Sequence, residues 1–246
     1  MAYTLFIADL HLCQNRPDMT AAFMTFLHDQ VTEACDGLYI LGDFFEYWIG
    51  DDDNSPFHQR ISAALRETAR ITPIYFIHGN RDFLLGQRFA QACHMTLLPE
   101  EHLVDLYGRK TLLMHGDSLC TDDLAYMKFR QKSRKKWWQT MMLALPLFVR
   151  RRIAKKAREK SRQSQQAISD MSILDVTPKT VLERMQYHHV DLLIHGHTHR
   201  PNIHTLHDVP TPGSEAQRIV LGDWYEQGSY LIFTPQTHDL KQLPLG

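Results

Sequence analysis

Seven side chains that can offer nitrogen or oxygen to a metal ion stand where short apolar runs give out: Asp9 and His11 in ADLHL, Asp43 in LGDFFE, Asn80 in HGNRD, His115 in MHGD, and His195 and His197 in IHGHTH. Alternate residues of an extended chain point to the same side, so Asp9 with His11, and His195 with His197, are expected to face one site. Carboxylate, amide and imidazole donors without thiolate suit Mn, Fe, Zn or Mg. Seven donors exceed the ordinary coordination of one ion. With Asp43 as a bridge they divide into Asp9, His11, Asp43 and His197 for one ion, and Asp43, Asn80, His115 and His195 for the other. Taken singly, a His-Gly or Gly-Asp pair at a strand end is commonly a turn. Five such ends in one chain are hard to generate from packing needs alone. Gly42, Gly79, Gly116 and Gly196 each adjoin a proposed ligand, where the backbone must turn or let an ion approach. His199 stays open: it faces the opposite side or follows the chain into the site.

These donors need a scaffold that gathers strand ends. Residues 3–8, 37–42 and 73–79 read as buried strands, and 19–34, 57–70 and 83–93 as helices with apolar residues at helical spacing. Residues 100–116 read as a hairpin turning at Tyr107-Gly108. A helix at 180–190 leads into a strand at 191–196, and QRIVLGDW and GSYLIFTP supply two more strands. This order predicts an α/β fold in which mixed sheets are sandwiched between helices, with the site at the strands' carboxyl ends.

One segment, 124–165, shows no strand pattern. From Lys128 to Arg162 it holds fourteen of the 27 Lys and Arg and one of the 28 acids, a split that the net charge of −1 hides. Pro146 interrupts it and SRQSQQ loosens its end. It reads as two or more helices inserted as a lid into a single domain spanning 1–246.

Composition narrows the class. Cys13, Cys35, Cys93 and Cys120 are irregularly spaced and form no CxxC pair, which disfavours a thiolate zinc site and a disulfide framework and fits a reducing compartment. The start, MAYTLFIADLHLC, lacks the basic region of a signal peptide. No run approaches 18 charge-free apolar residues, so no transmembrane helix is expected.

The ordered motifs DxH, GDxxE, GNxD, HG and GHxH, from residues 9–11 through 196–199, resemble those of the calcineurin-like metallophosphoesterases. The resemblance implies a four-layer αββα sandwich with a two-metal centre that hydrolyses phosphate esters or anhydrides. GNRD puts Arg81 where most members carry histidine. Arginine gives up no proton at useful pH but clamps phosphate oxygens, which points to a leaving group needing little protonation, such as another phosphate. FIADLHLC, YILGDFFEYWIGDDD, YFIHGNRDFLLG, MHGDSLCTDD, ALPLFVRRRIA and LIHGHTHRP resemble, over essentially the whole chain, the UDP-2,3-diacylglucosamine pyrophosphatase branch of that family. This implies an acylated UDP-sugar substrate cleaved to UMP and 2,3-diacylglucosamine 1-phosphate by metal-activated water attacking the UMP-side phosphorus. It further implies two divalent ions, usually manganese, catalytic roles for Arg81 and His195, and substrate contacts from Asn80, Arg81, Asp123, Ser161, Gln165 and His195. The implied location is peripheral, on the anionic surface of the cytoplasmic face of the inner membrane, with no nucleic acid and no obligate protein partner.

Two local readings compete. Asp123 in CTDD is either a substrate contact or a helix N-cap; the resemblance favours substrate for Asp123 and capping for Thr121 or Asp122. Trp137, Trp138, Met141, Met142, Leu143, Leu145, Leu147 and Phe148 exceed what a small cap needs for its own core. They read as a shelter for acyl chains beside a basic face suited to anionic lipid, or else as residues that pack onto the core. Two other functions stay open: a broader metallophosphodiesterase acting on nucleotides or nucleic acid, and a nucleic-acid-binding protein using the basic arm. The arm shows no zinc-finger or RNP pattern.

Overall fold

A computed structural model describes residues 1–167, 175–207 and 215–244. The first half alternates strand and helix: β1 (Tyr3–Ile7), α1 (Pro17–Gln30), β2 (Cys35–Ile40), α2 (Pro56–Thr68), β3 (Ile74–Phe76), α3 (Gln87–Ala92) and β4 (Met95–Leu97). A hairpin follows, β5 (Glu101–Leu106) and β6 (Arg109–Met114), then helices α4 (Leu124–Ser133), α5 (Lys136–Leu143), α6 (Leu147–Ala167) and α7 (Pro178–His188). The chain ends in β7 (Leu192–His195), β8 (Asn202–Leu206), β9 (Ala216–Val220), β10 (Gln227–Phe233) and β11 (His238–Pro244).

The strands form two sheets, ordered β11-β10-β1-β2-β3-β4 and β5-β6-β7-β9-β8. Strands β1 to β4 run parallel, and a helix makes each crossover that parallel neighbours require. Burial follows the two-residue period of a strand. In β1 and β2, Leu5, Ile7, Leu38 and Ile40 pack with Phe23 and Phe26 of α1, while Phe6 and Tyr39 face the second sheet. In β6 and β7, Leu113, Leu192 and Ile194 face the first sheet, while Leu112 and Leu193 pack with Val181 and Met185 of α7. Both faces of these strands are covered, so they read as unbroken apolar runs. The result is the four-layer αββα sandwich.

Three strands escaped the sequence reading. β4 has only three residues, and β8 and β11 lie at sheet edges with much of their surface exposed, so neither carries an apolar run. The helix expected at 83–93 shortens because Gly86 is its N-cap. Pro146 does separate α5 from α6, but SRQSQQ does not loosen the end of α6, which runs on to Ala167. Gln and Arg are good helix formers, and polarity alone does not end a helix.

The basic insertion is not a uniform face. Arg150 pairs with Asp52, Arg151 with Asp53 and Arg158 with Glu46, while Arg130 and Arg134 reach Asp117. Five of its arginines thus meet acids of the core. Among the described residues, no helix is long and apolar enough to cross a membrane.

Candidate metal centre

Strand register sets the site. Ile7 pairs with Ile40, Ile40 with Phe76, and Leu113 with Ile194, so the strands of each sheet end level. The loops that follow are laced together by backbone hydrogen bonds: the N–H of Asp9 to the carbonyl of Gly42 (3.1 Å), that of His11 to Asp43 (3.0 Å) and that of Gly196 to His115 (2.9 Å). Past the strand ends, Asp9 (φ 55°), His11 (50°), Asp43 (50°), His197 (72°) and His199 (55°) all occupy the left-handed region. Such strain in residues with a Cβ persists only where the surroundings over-determine it, and it gathers at functional sites.

Two clusters result. Donor atoms of Asp9, His11 and His199 lie within 4.8 Å of one another, and those of Asp43, His115 and His197 do likewise. Nε2 of His199 stands 3.3 Å from both Oδ1 of Asp9 and Nε2 of His11. Nε2 of His115 is 3.1 Å from Oδ1 of Asn80 and 3.6 Å from Oδ1 of Asp43.

This division differs from the one read in the sequence. His199, not His197, joins Asp9 and His11; His197, not His195, joins Asp43 and His115. The alternation that grouped His195 with His197 needs an extended chain, but β7 ends at His195 and the positive φ of His197 turns the backbone. His195 is buried beside the second cluster, close enough to feel the charge of His197 and His115; its Nε2 is 3.3 Å from Nη1 of Arg218 and its Nδ1 2.8 Å from the carbonyl of Gly196.

Burial opposes ionisation of Asp9, but the imidazoles of His199, His115 and His11 outweigh it and hold the carboxyl below its usual range. Burial also lowers His115, yet Asp43, Asp9 and Asp117 raise it overall. His197 is pushed down to about 4 by burial and by His115, and His195 to about 3 by burial and by Arg218. Neutral imidazole is the form that ligates metal.

The donors fit the metal pair that the sequence motifs imply. Oδ1 of Asp9 and Nδ1 of His11 are buried without a hydrogen-bond partner, a costly arrangement that a cation beside the carboxylate would relieve. A Cβ on Gly196 would stand 2.4 Å from Oδ2 of Asp9, and one on Gly79 2.2 Å from Oδ1 of Asp43, so both carboxylates rest against glycine.

Arg81 lies over the second cluster. Its Nε is 3.2 Å from Oδ2 of Asp43, its Nη1 donates to Glu46 (2.8 Å), and its backbone N–H donates to Oδ1 of Asp43 (2.9 Å). Asp82 beside it was missed. Its carboxyl accepts from the N–H of Phe44 (2.7 Å) and of Gly79 (2.8 Å), stapling the loop of Asp43 to that of Asn80. Glu46, Asp223 and Arg218 were missed as well. Glu46 and Asp82 are the acids of the GDFFE and GNRD motifs themselves, so the motifs carried the signal; nothing in the sequence singled out Asp223 or Arg218.

Asp123 is the N-cap of α4, its Oδ1 accepting from the N–H of Tyr126 at 2.9 Å. The cap therefore falls on Asp123 rather than on Thr121 or Asp122, which bond Thr177 instead. Ser161 is half-buried on α6, and the side chain of Gln165 lies outside the described residues.

A family model for calcineurin-like phosphoesterases matches residues 3–201. Over 98% of its length, and 99% of theirs, the chain is 52% identical to proteins named UDP-2,3-diacylglucosamine hydrolase from Escherichia fergusonii and Klebsiella pneumoniae subsp. pneumoniae. Among solved structures, a hypothetical protein from Pyrococcus horikoshii OT3 has a similar fold, with a TM-score of 0.50 at 10% identity over 100% of this chain and 89% of that one.

Proposed function

The chain belongs to the calcineurin-like phosphoesterase family, and we propose that it hydrolyses the pyrophosphate of UDP-2,3-diacylglucosamine to UMP and 2,3-diacylglucosamine 1-phosphate. The observation that carries the chemistry is the pair of buried donor clusters; the relatives' name supplies the substrate. Asp9, His11 and His199 would hold one divalent ion, and Asp43, His115 and His197 the other, with Asn80 beside His115. Such ions, manganese by resemblance, would supply an acidified water and a polarised phosphoryl oxygen. Water oxygen bonds to the UMP-side phosphorus as the bond from that phosphorus to the sugar phosphate breaks.

Arg81 would hold its positive charge against the equatorial oxygens of the attacked phosphorus. Its grip on Asp43 and Glu46 fixes it there. The departing sugar phosphate is a weak base that demands no strong general acid, in keeping with arginine at this position. Asn80, Asp123, Ser161 and Gln165 are proposed substrate contacts carried over by resemblance. His195, whose Nε2 meets Arg218, is assigned a supporting role. The alternative is the grouping read in the sequence, in which His195 holds the second ion beside Asp43, Asn80 and His115 while His197 holds the first beside Asp9, His11 and Asp43.

We assign α4 to α6 as a lid over this site. Seven large apolar side chains of the insertion are exposed: Leu124, Phe129, Trp137, Met141, Leu143, Phe148 and Ile153. Acyl chains of the substrate would cover part of them. The lysines of the insertion would meet anionic lipid, giving peripheral attachment to a membrane surface that weakens with salt.

The test is hydrolysis of the diacylated UDP-sugar by manganese-loaded protein in ¹⁸O-water. Label is expected in UMP. Label in the sugar phosphate would move the attack to the other phosphorus, and no hydrolysis would refute the substrate.

A further inference from the structure

Each imidazole that ligates a metal through Nε2 carries a proton on Nδ1, which wants an acceptor that fixes the ring. Around this site the acceptors can be identified. Nδ1 of His115 is 2.8 Å from the carbonyl of Leu41, and Nδ1 of His199 is 3.5 Å from Oδ2 of Asp223. Nδ1 of His11 is buried and has no partner. The carboxylate facing it is Glu46, whose Oε2 stands 3.7 Å away. That same oxygen accepts from Nη1 of Arg81 at 2.8 Å, while Oε1 accepts from Nε of Arg158 on α6 at 2.8 Å.

We propose that Glu46 is a positioning residue that accepts the Nδ1 proton of His11 when an ion is bound. A shift of under 1 Å brings 3.7 Å into hydrogen-bond range. Glu46 is only partly covered, at 24% exposure, so it has room to make that shift. Arg158 holds the other oxygen, Oε1, and leaves Oε2 as the atom that faces His11. The proposal rests on the two-metal reading of the site.

The test measures Mn²⁺ affinity of chelator-treated protein by the loss of the free-ion EPR signal, for the parent, Glu46→Gln and Arg158→Gln. Glu46→Gln is expected to weaken the tighter-affected ion by about tenfold or more, the range for losing an outer-sphere partner. Arg158→Gln keeps Glu46 and is expected to stay within about threefold of the parent. Parent-like affinity in Glu46→Gln, or an equal loss in both variants, would overturn the proposal. A parent that binds no Mn²⁺ would instead overturn the two-metal reading. A second measurement needs no variant: ¹⁵N NMR of the parent loaded with diamagnetic Zn²⁺ reports the His11 tautomer. The Nδ1–H form is expected; the Nε2–H form refutes the assignment.

Discussion

The carboxylate of Asp9 accepts a 2.7 Å hydrogen bond from the backbone N–H of His197, across 188 positions of sequence. The first and last ligand loops of the chain therefore close on each other directly. Gly196 lets them meet: a Cβ there would lie 2.4 Å from Oδ2 of Asp9 and 2.6 Å from Cβ of Ala8. Neither atom belongs to a long flexible side chain, so Gly196→Ala must push the loop of His197 and His199 away from Asp9. Misplacement by about 1 Å costs roughly a hundredfold in rate. Gly196→Ala is expected to lose activity on that scale and to purify with less manganese, while still unfolding cooperatively. Parent-like metal content would show that the loop absorbs the methyl group.

The division of histidines has its own test. His199→Ala removes a donor from the Asp9 cluster, and His197→Ala one from the Asp43 cluster. Each is expected to lower the manganese content measured by elemental analysis from near two ions per chain toward one. His195→Gln leaves both clusters intact and is expected to keep near two. The reverse result, with His195→Gln losing an ion and His199→Ala keeping both, would restore the grouping read from alternation.

Asp82 gives a pH dependence with a definite sign. Burial, and then the charge of Asp43, push its carboxyl up from 3.8 to about 7. A folded-state value above the unfolded one contributes stability fully present below the unfolded value and lost as pH rises through the folded one. Asp82→Asn cannot ionise, so it lacks this pH-dependent contribution. In chelator-treated protein, the Tm advantage of the parent over Asp82→Asn is expected to shrink between pH 5 and pH 8. A constant difference across that window would mean that Asp82 is ionised throughout.

Much of this was legible because the sandwich buries both faces of its central strands. YTLFI, GLYILG and LLIH announce themselves as apolar runs, and the ligands follow where the runs stop. The edge strands β8 and β11 were illegible for the converse reason, since their exposed sides leave no apolar pattern. Within the site, residue types pointed to metal; alternation grouped His195 with His197, whereas His197 and His199 are the histidines of this segment that fall into the two donor clusters. Beyond His195 the backbone is left-handed at His197 and His199, and nothing local to HGHTH prescribes those dihedrals. They are imposed by Asp9 and by the neighbouring loops. Contacts that join distant segments, such as Arg158 to Glu46 or Arg218 to His195, had no signal short of the fold itself.

Some apolar residues of the insertion pack against the rest of the fold and others are exposed, which divides the proposed lid into residues that would hold it and residues that would meet acyl chains. Trp138 packs toward Phe83 of the core, ring centroids 6.0 Å apart, and Met142 is buried. Trp137 and Phe148 are 56% and 66% exposed. If acyl chains cover them, their apolar area gains contact only with an acylated substrate. Burying a large apolar side chain is worth about 1.5–3 kcal/mol, which corresponds to roughly ten- to a hundredfold in kcat/KM. Trp137→Ser and Phe148→Ser are therefore expected to cut kcat/KM for the diacylated UDP-sugar by about tenfold. They are expected to leave hydrolysis of a small activated phosphodiester and the Tm nearly unchanged, since the donor clusters and Arg81 are untouched. Trp138→Ser removes packing against the core, so its Tm is expected to fall and both activities with it. The contrast between the exposed pair and Trp138 is the discriminating measurement. Losses in Trp137→Ser and Phe148→Ser that are equal on both substrates, with a lower Tm, would return those side chains to the packing of the lid and leave the acyl chains to be held elsewhere.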